Sequence, residues 1–268
     1  MHIVVAVKQV LDPDGVNSYA LWGRLQVDDS GRSFTIGEAI PRIINAYDEQ
    51  AMEVALRIRD AGTSCQITAV SVGPEPCMDI LKRCLALGAD RAVLVRETEA
   101  PTDGFRVAAL LAAVVRRLDS VDLVLCGRQG SDYDQGIVPG VLAEHLEAAL
   151  VTIAAGVEVD GDHVRVARVT PAGMELVEAS LPAVVSLSNE VGLARYPTSR
   201  GMLEARRKRP EVFEAAELVG TPGHRTVELM AISVPDVQGH CEIIGGSTAA
   251  EKASALYSRL VAIGAIGD

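Results

Sequence analysis

At 268 residues the chain is long enough to bury one large core, or one core and an appendage. Its composition, 49% apolar but only 3% aromatic, suits a parallel sheet covered by helices better than an aromatic-rich β sandwich. A formal net charge of −11 repels a phosphate backbone on average, so nucleic-acid binding would need a strong local basic patch. The one basic run, Arg206-Arg207-Lys208-Arg209, reads as a solvated or protein-docking segment.

Four short apolar runs, Ile3 to Val7, Gln66 to Val72, Arg91 to Val95 and Asp122 to Cys126, are rich in β-branched residues and read as strands buried on both faces. Residues 11 to 44 form a long insertion after the first of them, at the strand end where such folds build sites. Helical spacing follows each strand. Tyr47, Ala51, Val54, Ala55 and Ile58 mark the first helix; Cys77, Ile80, Leu81 and Cys84, stopped by Gly88, mark the second. Val107, Leu111, Val114 and Leu118 mark a third, and Val138, Val141, Leu142, His145 and Leu146 a fourth. Alternating strand and helix predicts a parallel, right-handed α/β sheet.

After residue 150 the pattern tightens. Val151 to Ala154, Val157 to Val159, Val164 to Val169, Met174 to Glu178 and Ala183 to Leu187 read as short antiparallel strands, with turns at Asp160-Gly161-Asp162 and Pro171-Ala172-Gly173. A loop with Gly192, Pro197 and Gly201, a basic helix and a Pro/Gly-spaced tail from Pro210 to about Gly246 follow. Ala249, Ala253, Leu256, Leu260 and Ile263 then share one face of a last helix, expected on a partner or on the outside of the domain.

Motifs for chemistry are scarce. The chain has no Gly-x-Ser-x-Gly, no Walker lysine loop and no His-Glu-x-x-His, and its histidines (His2, His145, His163, His224, His240) show no metal spacing. His145 reads as a packed or interface histidine, and Glu144 and Glu147 as a wet helix face. The five cysteines (Cys65, Cys77, Cys84, Cys126, Cys241) are odd in number and lack any Cys-x-x-Cys, which argues against a disulfide framework or zinc site. They read as small buried hydrophobes in a reducing, cytoplasmic setting. The N-terminus opens on a strand pattern rather than a signal peptide, and no apolar run approaches the length of a spanning helix.

One segment stands out: Gly127-Arg128-Gln129-Gly130-Ser131-Asp132-Tyr133-Asp134-Gln135-Gly136, directly after the fourth strand and before a helix. A polar, glycine-containing loop there can present backbone N–H groups to a phosphate. Arg128 adds charge, and Asp132 or Asp134 can accept from ribose hydroxyls or an adenine amine. A surface loop whose aspartates cap the helix is the alternative.

At this loop the chain resembles electron-transfer flavoprotein β subunits, nearly end to end. The matching pieces are VAVKQV with Asp12, INAYDEQAMEVAL (Ile44 to Leu56), AVSVGP (Ala69 to Pro74), LALGADRAVLV (Leu85 to Val95), DLVLCGRQGSD (Asp122 to Asp132), ELVEASLPAVVSLSNE (Glu175 to Glu190) and ARYPTSRGMLEARRK (Ala194 to Lys208). The resemblance implies a mainly parallel, doubly wound, Rossmann-like sheet that binds an adenine nucleotide, with antiparallel strands added and a C-terminal arm. It implies three parts: a nucleotide-binding domain over 1–190, a partner-recognition loop and basic helix over 191–209, and an arm over 210–268 packing on an α subunit. It also implies an electron carrier rather than an enzyme on its own. The α subunit holds a redox-active FAD, this chain holds AMP or, in electron-bifurcating relatives, a second FAD, and an acyl-CoA or other flavin dehydrogenase docks.

By position, the nucleotide contacts are expected from Ala6, Asn45, Val72 and the loop residues Gly127, Arg128, Gln129, Gly130, Ser131, Asp132, Asp134, Gln135, Gly136, Ile137 and Val138. No catalytic or metal-binding residue is implied. The partner-recognition residues are Val191, Leu193, Arg195 and Tyr196, with Val191 or Leu193 as the apolar plug. The loop runs one residue shorter than the family form after Asp134, which leaves its contacts there open. The early insertion is longer than usual, and Tyr19 or Trp22 in it is a candidate to stack on a flavin. A stand-alone adenine-nucleotide-binding protein is the remaining alternative; the chain lacks the Ser-Gly-Gly loop of ATP-cleaving relatives.

Overall fold

The computed structural model describes residues 1–21, 23–34, 40–98, 103–219, 227, 229–234 and 241–267; Trp22 lies outside them. Two compact units result, Met1–Ile232 and Ser233–Asp268. The first contains, in chain order, β1 (His2–Ala6), β2 (Gln9–Leu11), α1 (Pro13–Leu21), β3 (Arg42–Ile44), α2 (Ala46–Asp60), β4 (Gln66–Gly73), α3 (Met78–Leu87), β5 (Arg91–Arg96), α4 (Gly104–Arg117), β6 (Leu123–Gly127) and α5 (Val138–Leu146). It continues with β7 (Ala149–Asp160), β8 (His163–Thr170), β9 (Gly173–Ser180), β10 (Ala183–Leu187), α6 (Ser199–Ala205), β11 (Glu211–Glu214) and α7 (Ala215–Val219).

One nine-stranded sheet runs β11-β5-β4-β1-β6-β10-β7-β8-β9. All neighbours from β11 to β7 are parallel, while β7–β8 and β8–β9 are antiparallel. The apolar runs form central strands because both faces need covering. Ile3, Val5, Ile67, Leu94 and Leu125 pack under α2 and α3, and Val4, Val70, Val93 and Val124 pack under α4 and α5. This is a doubly wound α/β sheet.

Three readings of the sequence change. Val151–Ala154 and Val157–Val159 belong to one strand, β7, not two; the break in the apolar pattern is a bulge, with Ile153 at φ 60° and a register shift between Ala154 and Gly156. Its first half pairs parallel with β10, so neither that half nor Ala183–Leu187 is antiparallel; β10, with every residue buried, sits beside β6 inside the sheet. The stretch after Pro210 read as irregular tail begins with β11, which pairs parallel with β5, and α7. The 11–44 insertion carries α1, and its two ends are joined by the antiparallel β2–β3 pair. The turns at 160–162 and 171–173 are tight hairpin connections as expected.

The second unit contains α8 (Ala249–Ala262), capped by the Thr248 hydroxyl on the Glu251 N–H at 3.2 Å. Among the described residues, no helix is long and apolar enough to cross a membrane.

Candidate functional site

The chain runs out along β1, then β4 and β5 on one side, and returns to β6 on the other side of β1. That reversal opens a crevice at the carboxyl ends of the strands, the place where doubly wound sheets take ligands. The crevice encloses about 1060 Å³ of free space, its open side included. Of the residues expected to contact a nucleotide, Ala6, Asn45, Val72, Gly127, Arg128, Gln129, Gly130, Asp132, Asp134, Gln135, Gly136 and Val138 all line it.

Ser131 and Ile137 do not. The Ser131 backbone N–H donates to Asn45 Oδ1 at 3.1 Å, and its hydroxyl is enclosed without a partner. Ile137 packs onto the start of α4, where a β-carbon on Gly104 would fall 2.8 Å from Ile137 Cγ1.

Asn45 is a brace rather than a free ligand. Nearly fully buried, it donates from Nδ2 to the Gln129 carbonyl at 2.8 Å while its Oδ1 accepts from Ser131. Standing at the N-cap of α2, it makes no side-chain cap there, because both ends of its amide hold the loop. On the loop itself Gln129 Nε2 donates to Asp134 Oδ1 at 2.7 Å, and Lys8 Nζ pairs with Asp132 Oδ1 at 2.6 Å and lies over the Tyr133 ring. Asp134 and Gly136 take left-handed backbone, φ 49° and 64°, which turns the chain back into α5.

Asp48 joins the elements, and sequence reasoning missed it. Buried in the first turn of α2, it accepts from Lys8 N after β1 at 2.7 Å and from Gly127 N at the end of β6 at 2.9 Å. Burial pushes its carboxyl up to about 7, against the pull of those two N–H bonds and of the Asn45 side chain. Unfolded, the group returns to the ordinary 3.8. Between these values the folded chain keeps a proton that the unfolded chain has lost. Asp48 therefore contributes stability that is full below pH 4 and declines as pH rises to about 7. The span corresponds to a few kcal/mol, on the order of 1.4 per pH unit. Asp48→Asn is expected to flatten this part of a stability–pH curve measured by urea unfolding; an unchanged slope would show that Asp48 does not cause it.

The cysteines behave as expected where buried. Cys77, Cys84 and Cys126 are enclosed thiols raised by desolvation, Cys84 to about 12. Cys65 is half-buried and Cys241 exposed. His145 is exposed rather than packed, on the outer side of α5. Tyr19 lies on α1 and is not among the described residues of the crevice wall.

The second candidate region follows β10. Val191 is buried in the core, whereas Leu193 is 94% exposed and Tyr196 84% exposed. Gly192 between them takes φ 89°, which a β-carbon would strain. Arg195 turns inward onto Glu53 of α2. Of the two apolar residues considered as a plug, only Leu193 points to solvent.

A family model described as the electron transfer flavoprotein domain matches residues 33–218. The caffeyl-CoA reductase-Etf complex subunit CarD of Acetobacterium woodii is 30% identical, over 97% of this chain and 98% of that protein. The electron transfer flavoprotein subunit beta of Thermoanaerobacterium thermosaccharolyticum is 31% identical, over 92% of this chain and 93% of that protein. The acryloyl-CoA reductase electron transfer subunit gamma of Anaerotignum propionicum is 33% identical, over 83% and 80%. With the family model covering most of its length and the first two of these relatives aligning nearly end to end, the chain belongs to the electron-transfer flavoprotein family, as a β subunit.

Proposed function

We propose that this β subunit holds an adenine nucleotide in the strand-tip crevice and pairs with an α subunit that carries the working FAD. The donor set of the crevice carries this reading. The backbone N–H groups of Gln129, Gly130 and Gly136 have no partner among the described residues. Lys8, Arg42 and Arg128 bring positive charge to the same wall, and Val70, Val107 and Leu111 give it an apolar floor. Free N–H groups and cations suit a phosphate. An apolar floor suits a purine ring, and the spare lone pairs of Asp132 and Asp134 suit ribose hydroxyls or an amine. The residues present fit an adenylate.

A bound flavin supplies the electron chemistry; the chain's own residues bind, orient and enclose. Electrons enter from an acyl-CoA-type or other flavin dehydrogenase docking on the 191–209 segment, with Leu193 and Tyr196 as its exposed anchors; the basic run Arg206 to Arg209, expected on a helix, instead follows the end of α6 at Ala205. Of the 210–268 arm, β11 and α7 belong to this chain's own sheet layer, and the part beyond residue 232 packs on the α subunit. Its helix α8 has no buried residue, and Leu256 and Tyr257 on it and Ile263 just after it are exposed, an apolar set that a partner would cover. The described cysteines are all free thiols, which suits the cytoplasm.

Co-expressed with its cognate α chain, the protein is expected to purify as a yellow heterodimer whose flavin is reduced by an acyl-CoA dehydrogenase and its substrate. Recovery as a colourless monomer that does not pair overturns the reading. A second reading, an electron-bifurcating protein with a whole FAD in this chain, draws on the breadth of the crevice. Its wall continues from the 127–139 loop to Gln9, Arg42 and Pro74. Two flavins per heterodimer would select it, and one FAD with one AMP would reject it.

A further inference from the structure

Two of the buried residues of α2 are carboxylates: Asp48 at the crevice, and Glu53, whose side chain is 6% exposed among Met52, Val54, Ala55 and Leu56. A buried carboxylate is costly unless charged donors surround it. Glu53 has four. Oε2 accepts from Arg195 N at 3.1 Å and Arg195 Nε at 2.8 Å; Oε1 accepts from Arg195 Nη2 at 3.2 Å and Arg57 Nε at 2.9 Å. Burial works to raise its pKa, but the bonds from Arg195 and Arg57 outweigh it and hold the carboxyl below its ordinary range.

The network extends to the loop on both sides of its exposed tip. Arg57 donates from Nη1 to the Val191 carbonyl at 3.0 Å, ahead of Leu193, while Glu53 takes the Arg195 backbone N–H behind it. Asp60 Oδ2 adds a contact to Arg195 Nη2 at 2.8 Å. The two bonds to backbone, at the Val191 carbonyl and the Arg195 N–H, therefore each hold the chain two residues from an apolar side chain that is 94% exposed.

We infer that Glu53 is a positioning residue for partner docking: through Arg195 and Arg57 it clamps both stems of the 191–196 loop and so presents Leu193 to a docking protein in a fixed conformation. The inference rests on the docking role proposed for this loop. It adds that the loop is preorganised by α2, which lowers the ordering cost that a flexible anchor would pay on binding.

Two readouts on the purified heterodimer test it, one of them independent of any docking partner. Arg195 is a potential trypsin site whose side chain the clamp withholds. In Glu53→Gln, cleavage after Arg195 is expected to accelerate about 10-fold, with cleavage at the exposed Arg200 and the bound-nucleotide content unchanged. In assays with an acyl-CoA dehydrogenase as electron donor, Glu53→Gln is expected to raise the KM for that donor about 10-fold at unchanged kcat, approaching Leu193→Ala. Should Glu53→Gln fail to fold, Arg57→Gln, at a half-exposed position, tests the same clamp from its Val191 side, removing the bond to the Val191 carbonyl together with the Arg57–Glu53 pair.

Unchanged cleavage after Arg195 overturns the inference. So does an unchanged KM in Glu53→Gln when Leu193→Ala raises it. If Leu193→Ala leaves KM unaltered, it is the docking role of the loop that fails, and the cleavage rates alone decide whether Glu53 holds it.

Discussion

Gly127→Ala is expected to strip the nucleotide from the heterodimer and to lower the stability of this chain by about 3 kcal/mol. A β-carbon at 127 would stand 2.2 Å from Asp48 Oδ1, 2.7 Å from Tyr47 Cβ and 2.9 Å from the Tyr47 carbonyl carbon. Rotating a side chain does not relieve a contact with backbone. The first turn of α2 must therefore retreat, and Asp48 loses its bonds to Gly127 and Lys8 together. Asn45, at the head of the same helix, moves with it and releases Gln129 and Ser131. Gly130→Ala supplies the graded comparison. There the β-carbon meets the ends of flexible side chains, Asp132 Oδ1 at 2.7 Å and Lys8 Nζ at 3.1 Å, so a smaller loss is expected. Thermal melts together with the nucleotide retained after gel filtration report both effects. A Gly127→Ala protein with wild-type melting and full nucleotide would show that the packing of α2 against the end of β6 does not hold the site.

Leu193→Asp is expected to abolish productive docking while leaving the folded chain and its nucleotide intact. The side chain is 94% exposed, so the free protein loses almost no burial when it is replaced. At the centre of an interface the same change removes an apolar anchor and introduces a charge that would need to be desolvated. The expected cost is at least 2 kcal/mol, or roughly 30-fold in affinity. Tyr196→Ala, at a neighbouring exposed position, is expected to show a smaller effect of the same kind. Steady-state reduction of the heterodimer by a dehydrogenase, read as KM against kcat, checks both. Val191→Ala makes the contrast, because Val191 is buried and its truncation should appear in the melting temperature. If Leu193→Asp kept a wild-type KM, the anchor would have to lie elsewhere.

How much of this was legible in the sequence depended on whether a residue's role is local. The runs that became β1, β4, β5 and β6 could be read because strands covered on both faces are apolar throughout. β10 has the same character, yet its pairing direction is set by which strand it enters beside, which no local pattern records. β11 offers only Val212 and Phe213 between glutamates and follows a proline, so its place at the sheet edge was not visible. The glycine loop was legible by its position between a strand and a helix. Asp48 was not, because an aspartate in a first helical turn ordinarily serves the helix dipole. Only the fold brings it to the ends of β1 and β6. The same holds for Glu53 and Arg195, which are 142 residues apart in sequence and joined by three hydrogen bonds in space.

The central claim is that the crevice behind the 127–139 loop encloses an adenylate. Denaturing the purified heterodimer and identifying the released small molecules by mass spectrometry, with stoichiometry against protein, tests it most directly. The account predicts one adenine nucleotide per β chain, as AMP or within an FAD, beyond the single FAD assigned to the α subunit. It also predicts that the Asn45→Ala protein yields less than half of this share. A wild-type heterodimer that releases only the α subunit's FAD, with nothing else in stoichiometric amount, would contradict it.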